Sequence, residues 1–193
     1  AVAVIPAYLI QEFLHQAWQL NTANPGLQTI IAWAGSEELI KYLIILLVAL
    51  PTRYFDEPID AMIYLITVAL GFSAAENSLF MSKILVESGN QLTFWLNGNY
   101  RFIGATIAHL VSSATLGSFI ALAFCQRRGR QILMLILGLF TATALHTVFN
   151  YLIINSVSSD ILKIFILFWA LAIVIIYLFE RVKTLACHLQ TKF

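Results

Sequence analysis

The amino-acid sequence predicts an all-α polytopic transmembrane helix bundle of about six spans, folded as one domain over residues 1–193. Three observations predict it. Hydrophobic residues make up 60% of the chain and charged residues 11%, less than half the roughly 25% of a soluble domain. The apolar residues come in runs close to the ~20 residues a spanning helix needs. Short clusters of turn-forming residues separate those runs. The formal net charge is +1, with Lys and Arg lying between apolar runs, so the expected partner is the lipid bilayer and not nucleic acid. Two cysteines, Cys125 and Cys187, are too few for a disulfide framework or a cysteine zinc cluster. No signal peptide with a basic n-region is visible. The chain opens on Ala1 and not on Met, so further residues are expected upstream.

Five runs satisfy the length requirement: residues 27–50, 59–82, 102–125, 132–154 and 161–179. The opening stretch, residues 1–20, is weaker, because Gln11, Glu12, His15, Gln16 and Gln19 form a polar stripe at helical spacing. It reads as a first span with one face turned inward, in preference to an interfacial helix. Asn21-Thr-Ala-Asn-Pro-Gly26 is turn chemistry, and residues 51–58, 127–130 and 155–160 make the other short joints. The long exception is residues 83–101, where Gly89, Asn90, Asn97, Gly98 and Asn99 surround Leu92-Thr-Phe-Trp95. This segment reads as a loop on the membrane surface, where Trp and Tyr are favoured, and as a candidate lid.

Arg127, Arg128 and Arg130 mark one cytoplasmic loop, and Arg181, Lys183 and Lys192 mark a cytoplasmic C-terminus. Residues 51–58 then lie on the same side and residues 83–101 outside.

Five ionisable side chains sit inside these apolar runs: Glu37, Glu38, Glu76, His109 and His146. A carboxylate within hydrocarbon costs roughly 2.5–3.5 kcal/mol even on lenient insertion scales, so such groups face a bundle interior and carry function. Counting rise per residue places all five roughly 10–16 Å below the external surface. They therefore share one layer of the bundle. Lys41 follows Glu37 and Glu38 at i+4 and i+3 and can neutralise either acid. Asn150 shares a face with His146, and Ser113 stands one turn after His109.

Such a set suits hydrolysis of a peptide bond. A glutamate can activate water as general base, and His or Asn can hold the oxyanion. Glu76, His109 and His146 could instead ligate zinc, with a second Glu as base. No H-E-x-x-H is present, so this metal set rests on the composition of the layer. A transporter or proton relay using buried Glu and His is the non-enzyme alternative. A superfamily scaffold without catalysis is another.

The same residues carry a family resemblance. Glu37-Glu-Leu-Ile-Lys41 resembles the EExxK motif of PrsW-type intramembrane proteases. Asp56-Glu-Pro-Ile-Asp60, then Tyr64 and Gly71-Phe-Ser-Ala-Ala-Glu-Asn77, resembles that family's second block. Residues 101–109 resemble the third, and His146-Thr-Val-Phe-Asn150 resembles the closing HxxxN. The blocks come in the family's order. The wider superfamily includes CAAX prenyl proteases and bacteriocin-processing or immunity proteins. The resemblance implies endoproteolysis of a single-span membrane protein, such as the first, extracytoplasmic cut of an anti-sigma factor, in a bacterial cytoplasmic membrane. The CAAX branch has His where this chain has Glu76, so its glutamate-dependent, metal-free mechanism does not transfer directly. Ser73, Ala61 and Leu65 are further departures.

The expected roles are then as follows. Glu37 activates water and Glu38, held by Lys41, tunes it, although the two could exchange. His146 and Asn150 stabilise the oxyanion in a metal-free reaction, and Glu76, His109 and His146 bind zinc in a metal one. Arg101, Asp56 and Asp60 are expected to be structural.

Overall fold

The computed structural model describes residues 3–22, 24–88, 91–156 and 160–185, with side chains described outside 87–101. Six helices are described: α1 (Val4–Trp18), α2 (Leu27–Val48), α3 (Asp60–Ser88), α4 (Gln91–Ala123), α5 (Arg128–Asn155) and α6 (Ile161–Lys183). Four stretches are long and apolar enough to cross a membrane: Pro58–Val86, Phe102–Ala123, Arg128–Asn155 and Ile161–Lys183. With 22 residues, α2 has the length to cross, but it carries Glu37, Glu38 and Lys41 at its middle. The 15 residues of α1 extend about 22 Å, short of the ~30 Å hydrocarbon core. As the polar stripe predicts, α1 turns one face inward, burying Ala7.

One expectation is corrected. Residues 83–88 and 91–101 are helical and not a surface loop, because α3 runs on to Ser88 and α4 begins at Gln91. Single Gly and Asn residues cost a helix only ~1 kcal/mol or less each. Extending an existing helix needs no new nucleus, and Asn97, Gly98 and Asn99 lie within α4. The lid expected there rests on residues whose side chains, Arg101 included, lie outside the described set. The start of α3 is as expected: the Asp60 carboxylate accepts from the backbone N–H groups of Asp56 (3.1 Å) and Glu57 (2.8 Å). Cys125, just past α4, is in a disulfide, and the second cysteine, Cys187, lies outside the described residues.

The hub is α4, which packs against α3, α5 and α6. Many of its inward positions are small: Ala108, Ser112, Ser113, Ala114, Ser118 and Ala121 are buried, beside the larger His109, Val111 and Leu116. Between membrane helices close approach replaces the hydrophobic drive, and small residues allow it. Gly117 marks a close approach of backbones, where a Cβ would lie 2.8 Å from Met62 Cα and 3.1 Å from the Ala61 carbonyl oxygen of α3. One turn from the ionisable layer, Ser73 and Thr106 hydroxyls bond across the same pair at 2.9 Å, and Asn77 donates to Ser73 at 3.2 Å. On α6, Ile164, Phe168, Ala172 and Ile175 face the bundle, while Ile166, Trp169, Ile173 and Ile176 face outward, the two faces of a helix apolar all round.

Because backbone and not a flexible side chain faces Gly117, Gly117→Ala is expected to destabilise the bundle by about 1–3 kcal/mol. Gly71→Ala, whose added Cβ meets nothing within 4 Å outside its own stretch of helix, is expected to be neutral or to stabilise by up to about 1 kcal/mol. Unfolding in detergent, followed by circular dichroism, measures both.

Candidate active site

Adjacent helix positions diverge by about 100°, and that divergence separates the two glutamates of α2. Glu38 points into the bundle and is fully buried. Its Oε1 accepts from Lys41 Nζ at 2.7 Å and from His146 Nδ1 at 2.9 Å, and its Oε2 accepts from Ser113 Oγ at 2.8 Å. Three helices thus converge on one carboxylate. Glu37 points instead to a cavity of about 550 Å³ lined also by Glu76, His109, His146 and Asn150.

Lys41 is wholly buried. Besides Glu38 it reaches His109 Nδ1 at 2.8 Å, and its ammonium lies 4.9 Å over the Phe72 ring. An ammonium can only donate, so His109 Nδ1 accepts and Nε2 carries the ring proton. That Nε2 stands 2.8 Å from Glu76 Oε2 and donates to it. The same reasoning assigns His146: Nδ1 donates to Glu38, which leaves the lone pair on Nε2. The two rings meet edge to face with centroids 4.7 Å apart.

Glu37 completes the layer. Its Oε1 accepts from Gln11 Nε2 of α1 at 3.1 Å. Its Oε2 is buried and has no hydrogen-bond partner. That oxygen lies 3.9 Å from His109 Nδ1 and 3.7 Å from His146 Nε2. A buried acceptor without a partner is costly, and here it sits between two imidazole nitrogens at a cavity wall.

All five ionisable groups expected to share a layer are therefore brought together, and Asn150 lines the same cavity. The trio differs from the metal set expected from sequence. Ligand atoms of Glu37, His109 and His146 lie within 4.8 Å of one another, while Glu76 stands on the far nitrogen of His109. Ligands of one zinc at ~2.1 Å would be about 3.4 Å apart, so the trio is slightly open for an ion. The donor chemistry fits. His146 has a carboxylate behind its distal nitrogen, as metal-bound imidazoles usually do, and Glu37 offers an unpartnered oxygen. At His109 the Nδ1 lone pair holds Lys41, which must let go before that nitrogen can bind a metal.

Two contacts were not legible in the sequence. Ser113 serves Glu38 and not its helical neighbour His109. Gln11 reaches Glu37 across 26 positions of chain, and its only sequence trace is the inward stripe of α1.

Removing one partner from a buried charge cluster leaves the other uncompensated, a loss of about 3–5 kcal/mol. Glu38→Gln is expected to destabilise by that order, because Lys41 is wholly buried. Glu37→Gln, at the cavity wall, is expected to stay within about 1 kcal/mol. Denaturant titration of both variants beside the parent measures the difference.

Comparisons with known proteins identify the family. A family model described as PrsW family intramembrane metalloprotease matches residues 1–178. The chain is 27% identical over 142 residues to Protease PrsW of Clostridioides difficile (strain 630), covering 73% of this chain and 53% of that protein. It is 23% identical over 176 residues to Protease PrsW of Shouchella clausii (strain KSM-K16), covering 90% of this chain and 76% of that protein. To Protease PrsW of Geobacillus kaustophilus (strain HTA426) it is 32% identical over 85 residues, 44% of this chain and 37% of that protein. The match covers only 37% and 53% of the length of two of these relatives. No solved structure matches. The family match extends over every residue of the buried layer, and the chain belongs to the PrsW family of intramembrane metalloproteases.

Proposed function

We propose that the chain is an intramembrane endopeptidase that hydrolyses membrane-anchored proteins near the extracytoplasmic face. The observation that carries this reading is the unpartnered Glu37 Oε2, set 3.7–3.9 Å from two imidazole nitrogens at the wall of the 550 Å³ cavity. A water there meets one carboxylate and one imidazole lone pair, the acceptors that activation requires.

The residues that would hold the family's metal are Glu37, His109 and His146, with zinc the ion that suits this donor set. Bound there it would supply Lewis acidity toward the scissile carbonyl and a more acidic water. Glu76, at the cavity wall, accepts from His109 Nε2 and would fix that ring's tautomer and orientation, as carboxylates behind metal-bound imidazoles do. Without metal, Glu37 is the base. In both readings Glu38 holds the tautomer and orientation of His146 and takes no proton. Asn150, one turn from His146 and lining the cavity, donates from its amide to the oxyanion. His146 can donate there only after accepting a proton, since its ring proton is committed to Glu38.

The family resemblance points to a single-span anti-sigma factor as substrate and to a bacterial cytoplasmic membrane with the C-terminus inside. Phe149, Phe165, Ile153 and Ile161 form the apolar side of the cavity, a surface suited to the side chains of a transmembrane strand. Gly104 lets Phe165 close against α4, since a Cβ there would lie 2.7 Å from the ring.

Metal content by mass spectrometry, with cleavage of a single-span substrate before and after chelation, tests the reading. About one zinc per chain is expected, with activity lost on chelation and restored by zinc. Glu37→Gln and His146→Ala are each expected to lower kcat by at least about 100-fold. Chelator-resistant cleavage without metal would assign the base to Glu37 alone. No cleavage by folded protein would overturn the protease reading.

A further inference from the structure

The motif blocks that carry the family resemblance begin at Glu37, and none includes a residue of α1. Yet α1 sends one side chain into the site. Ala3, Ala7 and Gln11 recur every four residues and so share a helix face. Ala3 and Ala7 are buried in a cluster with Ile40 and Phe72. Ile40 stands one turn beyond Glu37 on α2, and Phe72 one turn before Glu76 on α3. The small residues let α1 lie close to α2, and at that distance the next residue on the face, Gln11, reaches Glu37 Oε1 at 3.1 Å. The neighbouring polar residues do otherwise: Glu12 pairs with Gln16 at 3.0 Å on an exposed face.

The contact has a defined chemical sense. An amide oxygen facing a carboxylate would be repelled, so the Nε2–H group must face it. The bond occupies Oε1 and leaves Oε2 as the oxygen between His109 and His146. It also limits rotation of the carboxylate about its last torsion, which is otherwise broad. A reacting group held in one orientation gains rate through preorganisation, and small misplacements lose it.

We infer that Gln11 is a positioning residue for Glu37, so that docking of α1 aims the carboxylate at the two histidines. Its effect on rate rests on the protease reading above, whereas the contact itself does not.

The experiment uses the full chain in detergent with Gln11→Met, which keeps side-chain length and removes the donor. Infrared difference spectra against Glu37→Gln identify the Glu37 carboxylate band, and kcat and KM are measured on a single-span substrate. In Gln11→Met the Glu37 band is expected to shift. The kcat is expected to fall by about 10- to 100-fold, the range for one hydrogen bond to a charged group, with KM within about twofold. An unchanged band overturns the proposal whatever the activity. A shifted band with parental kcat also overturns it, since the bond would then exist without positioning anything that matters. If the parent chain cuts nothing, the protease reading fails, and the band alone decides whether Gln11 holds Glu37. Should Gln11→Met not fold, Gln11→Glu, which puts an acceptor of the same length in place of the donor, is read by the same two measurements.

Discussion

The structure depends on neutralising charge where water is absent. Glu38 and Lys41 lie at the middle of α2, both without exposure and 2.7 Å apart. Isolated, either ion would be too costly to bury. Together they remain expensive unless every remaining lone pair and proton is used. Here they are used across the bundle: His146 from α5, and Ser113 and His109 from α4, supply the other partners. The ion pair therefore cannot form fully until α2, α4 and α5 are assembled. Its solvation requirement acts as a registry constraint that nondirectional apolar packing does not provide.

That requirement shapes the packing around it. Helices must come close enough for short side chains to meet, and α4 is lined with Ala, Ser and Gly on the faces that touch its neighbours. The Ser73–Thr106 bond and the backbone contact at Gly117 hold α3 and α4 on either side of the layer. Glu76 and His109 then face each other from fixed positions. Outer faces carry large apolar residues in their place, since lipid tolerates Leu and Ile as readily as a core does.

The site arises from the asymmetry between adjacent residues. Glu38 accepts three hydrogen bonds, at least one on each oxygen, and serves as an anchor. Glu37, one position earlier, has one oxygen held by Gln11 and one without a partner. In the proposed reaction the chemistry falls to the group that the fold leaves incompletely satisfied, beside a cavity large enough for a segment of chain. The anchor matters to that chemistry indirectly, by keeping the His146 lone pair on the nitrogen that faces Glu37.

Much of this was legible from the chain alone, for physical reasons that can be named. Shortage of charge and runs of apolar residues dictate membrane helices, because only helices and closed barrels satisfy a backbone in hydrocarbon and barrel strands alternate apolar with polar residues. The cost of burying Glu and His marks those residues as a set, and rise per residue places them at one depth. Residues 83–101 were misread because Gly and Asn weaken a helix locally, while the extension of α3 and α4 is cooperative. What the sequence could not decide was which of two neighbouring acids is the anchor. That depends on the rotation of α2 against α4 and α5, which no spacing within one helix specifies. The exchange of Glu37 for Glu76 in the close trio has the same origin, as does the reach of Gln11 from a helix that carries no motif. Residue types and depth are properties of the chain; pairing is a property of how helices turn toward one another, and only the tertiary structure settles it.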